Sequence, residues 1–337
     1  MSSAVAATSG TDPLPSRGML WGAFAVIYLV WGSTFLGIRV AVETLPPLSM
    51  AAVRFLVSGA VLLLASRRAS PRPTPRQWGN AAIVGALFFL GNHGLISTAA
   101  RFIPSSLSCL IVATEVPIIA VLGSVLLPGQ PLSRRALLGA AIGIAGVLSL
   151  FAGQGLGADA HHLLPCLAVL GASLSWSLGA VVSQRLDFPP DPLLRAGMQM
   201  LCGALLLSLA SVARGEPASL TVAAFSSRSL FALVYLIVFG SVLAFACYTW
   251  LLKQVRADSV ATHVFVNPLV AVALGTWLGG ERLQPGHLVA GLLILCSVCV
   301  IVFRPSASRA ANTAVRRPIP PAAPRAESVA LSASRAP

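Results

Sequence analysis

The sequence predicts an all-α integral membrane protein, with ten transmembrane helices arranged as two inverted five-helix repeats. Three observations lead there. Only 10% of the 337 residues are charged and 56% are hydrophobic, against about 25% charged in ordinary soluble chains, and the mean hydropathy is +0.84. A water-facing surface cannot be built from so few charges. The apolar residues gather into ten stretches of helix length joined by short connections. The second half of the chain also repeats the first.

The first stretch, MLWGAFAVIYLVWGSTFLGI at 19–38, has twenty residues and no charge. That length crosses a hydrocarbon core of ~30 Å as a helix. A cleaved signal peptide would carry a basic leading region and a shorter apolar core. Here residues 1–18 hold only Arg17 and Asp12 as charges, and the run is long and aromatic, so it reads as a retained helix. Further helices are expected near 47–65, 79–100, 105–127, 136–152, 163–183, 193–213, 229–252, 257–279 and 286–303. Each must be helical because lipid offers no partner for backbone N–H and C=O groups. The short connections make successive helices antiparallel neighbours. Residues 305–337 are rich in Pro, Ala and Ser, lack helical periodicity and carry five arginines. They read as a disordered basic tail, able to touch anionic headgroups or simply to help fix topology.

Lysine and arginine placement gives the orientation. With the N-terminus (1–18) in the cytoplasm, seventeen of the 23 basic residues fall on the cytoplasmic side. The clusters are Arg67, Arg68, Arg72 and Arg76; Arg134 and Arg135; Arg185 and Arg195; Lys253 and Arg256; and the tail. Five, namely Arg39, Arg101, Arg214, Arg228 and Arg282, fall opposite, and Arg54 lies within a helix. Both termini are therefore expected inside a multi-pass cytoplasmic (inner) membrane protein. The formal net charge of +13 follows from this asymmetry and calls for no nucleic acid. The six cysteines all lie in apolar runs, where they read as small apolar filler. No metal or cofactor is expected.

The repeat is the strongest single signal. WGSTFLGIR from Trp31 matches WSLGAVVSQ from Trp176, an offset of 145 that sets Arg39 on Gln184 and Arg54 on Gln199. ATEVPIIAVLGSVLLPGQPLS matches HVFVNPLVAVALGTWLGGERLQ at an offset of 151, setting Pro117 on Pro268 and Gln130 on Glu281. Gly139 then falls on Gly291 and Phe151 on Phe303. A unit of five helices, residues 19–152 and again 163–304, is odd in number. The second copy must therefore enter from the opposite side, an arrangement that places a substrate site near the midplane.

WGSTF in the first helix, VRFL around Arg54, EVP at 115–117 and NPLVAVALGTWLGGERL at 267–283 resemble the EamA-type drug/metabolite transporter superfamily. The resemblance covers residues 20–304. It implies ten helices in two inverted repeats and secondary transport of small metabolites, often export of amino acids or related compounds. One departure is Gln130, where the family carries the Glu that the second copy keeps as Glu281.

Glu115 and Arg54 are the charges expected deep in helices, each costing about 2.5–3.5 kcal/mol at a helix centre on insertion scales. A Glu115–Arg54 pair would relieve both costs, as a permanent structural ion pair. As transport residues, Glu115 would titrate or bind an ammonium and Arg54 would grip a carboxylate. Ser108, Val112 and Ile119 share the Glu115 face, and Ser259, His263 and Asn267, each four apart, form a polar stripe on the ninth helix. Pro117 and Pro268 are expected to kink or break their helices near the site. Asn92, His93, Trp31, Trp176, Gln199 and Tyr248 complete the candidates, each with plain packing as its alternative role. The expected substrate is a small polar or amphipathic molecule, and the expected energy source an ion gradient, protons included, because no phosphate-binding loop is present. The glycines of 139–146 read as close helix packing. Other readings are a broad drug-efflux pump, a membrane scaffold or an intramembrane enzyme, though no HExxH or GxSxG pattern supports the last. Oligomeric state is left open.

Overall fold

The computed structural model describes residues 16–66, 72–129, 131–152, 160–219, 225–255, 257–282 and 284–302. Every regular element among them is helical. Helix α1 is Arg17–Ala41, begun by the Ser16 side chain accepting from Met19 N at 3.2 Å. Helix α2 is Pro47–Ser66, with proline at its first position, where a missing N–H costs nothing. Helix α3 is Pro75–Ala99, opened by a reciprocal Thr74–Gln77 capping box. Then come α4a, Ser105–Val112, and α4b, Glu115–Leu126. Helix α5 is Arg134–Ala152 and α6 is Ala160–Val182. Helix α7 is Pro192–Ala213, capped by Asp191, and α8 is Ser227–Gln254, capped by Ser226. The last are α9a, Ala257–Val260; α9b, His263–Trp277; and α10, Pro285–Val302. Eight spans are long and apolar enough to cross a membrane by length and composition: α1, α2, α3, Ser105–Leu126, the Leu163–Val182 part of α6, α7, α8 and α10. α9b is a shorter apolar helix.

Large apolar side chains face outward, as lipid rewards. Leu64, Leu148, Leu209 and Leu292 are all more than half exposed, while Ser58, Ser173, Ser177 and Ser297 are fully buried. Those hydroxyls donate to the backbone carbonyls of Arg54, Val169, Ser173 and Gly139. Without a hydrophobic driving force between helices, close approach at small residues supplies the cohesion. Helices α2 and α7 show it reciprocally: a Cβ at Gly59 would lie 3.0 Å from the Gly197 carbonyl, and one at Gly197 3.0 Å from the Gly59 carbonyl. Farther along the pair, Ser49 Oγ meets Ser211 Oγ at 2.6 Å, so the two helices run antiparallel. α5 and α10 also run antiparallel, with Gly139 against Ile301 and Gly146 against Ile294.

Second pairs with seventh and fifth with tenth, each running opposite to its copy. The cluster between α2 and α7 draws on repeat-equivalent positions of both helices, Ala51 and Ala196, Phe55 and Met200, Leu62 and Leu207. First helices pack on the other half: α1 on α9b, with Gly32 against Val270, and α6 on α3, with Gly179 against Phe88. One feature of the pattern is not written in hydropathy. Both α3 and α8 widen into π-helical turns at matching places, Ala86–Gly94 and Leu236–Leu243.

At the end of the bundle where α1 finishes, loop glutamates cap helix starts. Gly280, at φ 62°, turns the chain after α9b so that Glu281 accepts from Ser105 N and Oγ (both 2.7 Å) and from Ser106 N (3.0 Å) and Oγ (2.5 Å). Arg39 Nη1 lies 2.8 Å away. Glu216 likewise takes Ser49 N at 2.7 Å and Leu48 N at 3.2 Å at the start of α2. Gln130 and the tail at 305–337 lie outside the described residues.

Two outcomes are expected. Gly59→Leu should force α2 and α7 apart and lower the thermal midpoint of the detergent-purified protein, at a cost of about 1–3 kcal/mol for overpacking. Burial alone would raise the Glu281 carboxyl, but its four bonds from Ser105 and Ser106 outweigh that and hold it below the usual carboxylate value. A carboxyl lowered in the folded state gives stability that is complete above its unfolded value and is lost as pH falls through the folded one. The midpoint should therefore drop on acidification below about pH 4, and Glu281→Gln should flatten that drop while lowering the midpoint at neutral pH.

Candidate functional site

The fourth and ninth helices break at matching places. α4a ends at Val112 and α4b begins at Glu115, and α9a ends at Val260 and α9b begins at His263. The residues around each break are VATEV, 112–116, and VATHV, 260–264. In both, the threonine hydroxyl bonds the carbonyl three residues back: Thr114 to Ile111 at 2.7 Å, Thr262 to Ser259 at 2.6 Å. Side-chain bonds of this kind compete with the helix ladder. Tyr28 Oη of α1 adds a second bond to Thr262 Oγ1 at 2.5 Å.

Three expectations are corrected here. The breaks fall at the threonines, ahead of the prolines; Pro268 lies inside α9b, and Pro117 two residues past the start of α4b. Measured from the breaks, Glu115 corresponds to His263 at an offset of 148, whereas the proline register of 151 set it against Val266. Ser259 is exposed and lies across the break from His263 and Asn267, so the three do not form one continuous stripe.

The first cluster gathers around Glu115. Asn92, on the π-helical stretch of α3, donates from Nδ2 to Glu115 Oε1 at 3.3 Å and to the Ala172 carbonyl of α6 at 2.9 Å. Ser177 Oγ lies 3.3 Å from the Glu115 carbonyl. Trp176 stacks on Phe88 with centroids 4.1 Å apart, and His93 meets it edge-on at 6.2 Å. His93 also packs 4.7 Å from Phe55, and its buried Nδ1 has no hydrogen-bond partner among the described residues.

The second cluster gathers around His263. Trp31 lies 5.0 Å from it and 5.2 Å from Tyr248, and Tyr248 lies 5.9 Å from His263. His263 Nδ1 pairs with the Val260 carbonyl at 2.9 Å. With its amide turned so that nitrogen donates, Asn267 reaches the His263 carbonyl at 3.1 Å and the Tyr28 carbonyl at 3.2 Å. The π-helical turns supply carbonyls to both clusters' helices. Trp31 Nε1 donates to Gly240 O at 3.2 Å, and Ser175 Oγ of α6 donates to Leu87 O at 2.8 Å.

Arg54 is 4% exposed. It donates from Nε to Ser241 Oγ at 2.9 Å and lies 4.8 Å over the Phe55 ring. The ion pair with Glu115, one of the two readings of these charges, is not formed: the ion pairs among the described residues are Arg39–Glu281 and Arg228–Glu43. The reason is local. Arg54 reaches Ser241 on the π-helical stretch of α8 and lies over Phe55, which packs on His93, while Asn92 of α3 holds Glu115. Gln199, the repeat counterpart of Arg54, is buried with its Nε2 unpartnered among the described residues. Its carbonyl approaches α3 at Gly85. The arrangement presents a guanidinium with one described hydrogen bond out of five donors and a carboxylate held by a single amide, beside two aromatic clusters. Ser241, Phe55, Phe88 and Tyr28 were missed by sequence reasoning. The VATEV/VATHV match was a visible signal for the paired threonines.

The EamA-like transporter family matches the chain twice, over residues 16–152 and 163–303. The chain is 35% identical over 285 residues to the uncharacterized inner membrane transporter YedA of Escherichia coli K12, covering 83% of this chain and 90% of that protein. It is 24% identical over 288 residues to a probable amino-acid metabolite efflux pump of Salmonella typhimurium, covering 82% and 93%. A crystal structure aligns with TM-score 0.56 and 22% identity, covering 85% of this chain and 98% of that one, a likeness of fold alone.

Asn92→Leu should leave both Glu115 and the Ala172 carbonyl short of a donor. The expected cost is about 1–3 kcal/mol, read as a lower unfolding midpoint in detergent. Asn92→Asp, which also removes the amide, should not restore it.

Proposed function

The chain belongs to the EamA-like transporter family, and on that premise we propose that it is a secondary transporter exporting small amino-acid-like metabolites across the cytoplasmic membrane. The observation that carries the substrate class is the separation of Arg54 from Glu115. Each charge is held on one side by a single neutral partner, Ser241 or Asn92. A zwitterion answers both, its carboxylate on Arg54 and its ammonium on Glu115. Trp31, Trp176, Tyr248 and His263 would flank the side chain, with Asn92, His93, Asn267 and Gln199 as the remaining polar contacts. The name of the Salmonella relative points the same way.

The wider proposal has ten crossings in two inverted units, 19–152 and 163–304, with both termini cytoplasmic. Alternating access follows from exchanging the conformations of the two halves. The antiparallel α2/α7 and α5/α10 pairs support it. Glu115 is the proposed proton carrier, and the breaks at Thr114 and Thr262 are the proposed flexing points. A broad drug-efflux role is the second reading, favoured by the stacked Trp176–Phe88 and tilted Trp31–Tyr248 rings, which suit apolar cations.

Proteoliposome transport of an amino-acid panel and of cationic drugs, with and without a pH gradient, separates these readings. Glu115→Gln is expected to abolish gradient-driven accumulation and to raise the KM of counterflow exchange by removing the ammonium's partner, and undiminished accumulation would make Glu115 structural. Arg54→Lys should raise the KM for carboxylate substrates on the order of tenfold, since the ammonium cannot bind bidentately. Cysteines at Arg72 and Arg214 should be labelled from opposite sides of the membrane, and same-side labelling would contradict the inverted topology.

A further inference from the structure

One acid-centred clasp joins three helices at a single end of the bundle. Arg39 lies near the end of α1, Glu281 follows α9b, and Ser105 and Ser106 open α4a. The Glu281 side chain is 1% exposed and takes five hydrogen bonds from the other two elements. The same helices carry Trp31, His263 and, past the break, Glu115. That end cannot part over the site without undoing the clasp. Below it the seam is tight: a Cβ at Gly275 would lie 3.3 Å from Ser105 Oγ, and one at Gly279 3.0 Å from Leu36.

By residue type the repeat replaces both charges of the clasp with amides, although Arg185 lies beside Gly129 and Pro131 at that end. Arg39 corresponds to Gln184 and Glu281 to Gln130. Gln184 turns its amide onto the Ala180 carbonyl of its own helix at 3.4 Å. Gln130 enters by residue type alone. A neutral amide pair cannot reproduce a charge-assisted cap on a helix start, because ionised partners make the stronger bonds and complement the helix dipole. The two ends are therefore unequal by sequence, although the halves are alike in fold.

We propose that the Arg39–Glu281–Ser105/Ser106 clasp is the outer latch of the transport cycle, holding that end closed in the resting protein. The proposal rests on the transporter reading and its orientation.

The test is the rate at which a membrane-impermeant maleimide labels Ser108→Cys, one turn below Ser105 and buried, in the full chain with its six native cysteines replaced. Reagent is applied to the outside of intact cells. Glu281→Gln and Arg39→Gln should each speed labelling, on the order of tenfold for a modest population shift. Arg39→Gln keeps the carboxylate on the start of α4a and guards against a folding defect in Glu281→Gln. Unchanged rates in both variants, each monodisperse in detergent, overturn the latch. Acceleration confined to reagent in the cytoplasmic compartment upholds the latch and overturns the orientation. Faster outside labelling in a protein that transports none of the tested substrates upholds the latch and rejects the substrate reading.

Discussion

The backbone hydrogen bond, in surroundings that supply no water to replace it, is the constraint on which this structure depends. It makes every crossing a helix, and every interruption needs a named substitute partner. The interruptions at Ala113–Thr114 and Ala261–Thr262 are bridged by threonine hydroxyls. The π-helical turns give carbonyls to Trp31 and Ser175. Helix starts facing the loops are closed by carboxylates, Glu216 on α2 and Glu281 on α4a. Each departure from regular helix thus marks a place where side-chain chemistry gathers, and Glu115, His263, Asn92 and Ser241 are all found at or beside one.

Much of the fold was legible because lipid simplifies the code. Length and hydropathy located the helical stretches, and the 145-residue register reappears in the burial of Ala51 and Ala196, Phe55 and Met200, and Leu62 and Leu207 in one cluster. The site was legible in its residue types more than in its pairings. Arg54 and Glu115 stood out as expensive charges, but nothing in one dimension could show that Arg54 turns to Ser241 and Glu115 to Asn92. The prolines drew attention from the threonines. Aligning Pro117 with Pro268 was reasonable, yet it concealed VATEV against VATHV three residues out of register. The π-helical widening leaves no trace in composition, since it changes which carbonyl a residue meets and not which face is apolar.

Two similar halves have been given different chemistry. At the breaks a carboxylate in one half answers an imidazole in the other. On α2 and α7 a guanidinium answers an amide. On α1 and α6 Arg39, ion-paired to Glu281, answers Gln184. In the proposed transport cycle, a symmetric scaffold supplies two interconvertible arrangements, and these substitutions would decide which is favoured and what it binds. Function resides in the differences laid over the repeat, and this is why the family fold alone does not name a substrate.

The central claim is that Arg54 and Glu115 recognise the two ends of one zwitterion. The most direct measurement is competition binding in lipid nanodiscs, in which a transported amino acid is displaced by its N-acetyl derivative, its carboxamide and itself. Both blocked forms should compete at least about tenfold more weakly, the loss expected when a charged partner is left unanswered. Equal competition by either blocked form would contradict the account.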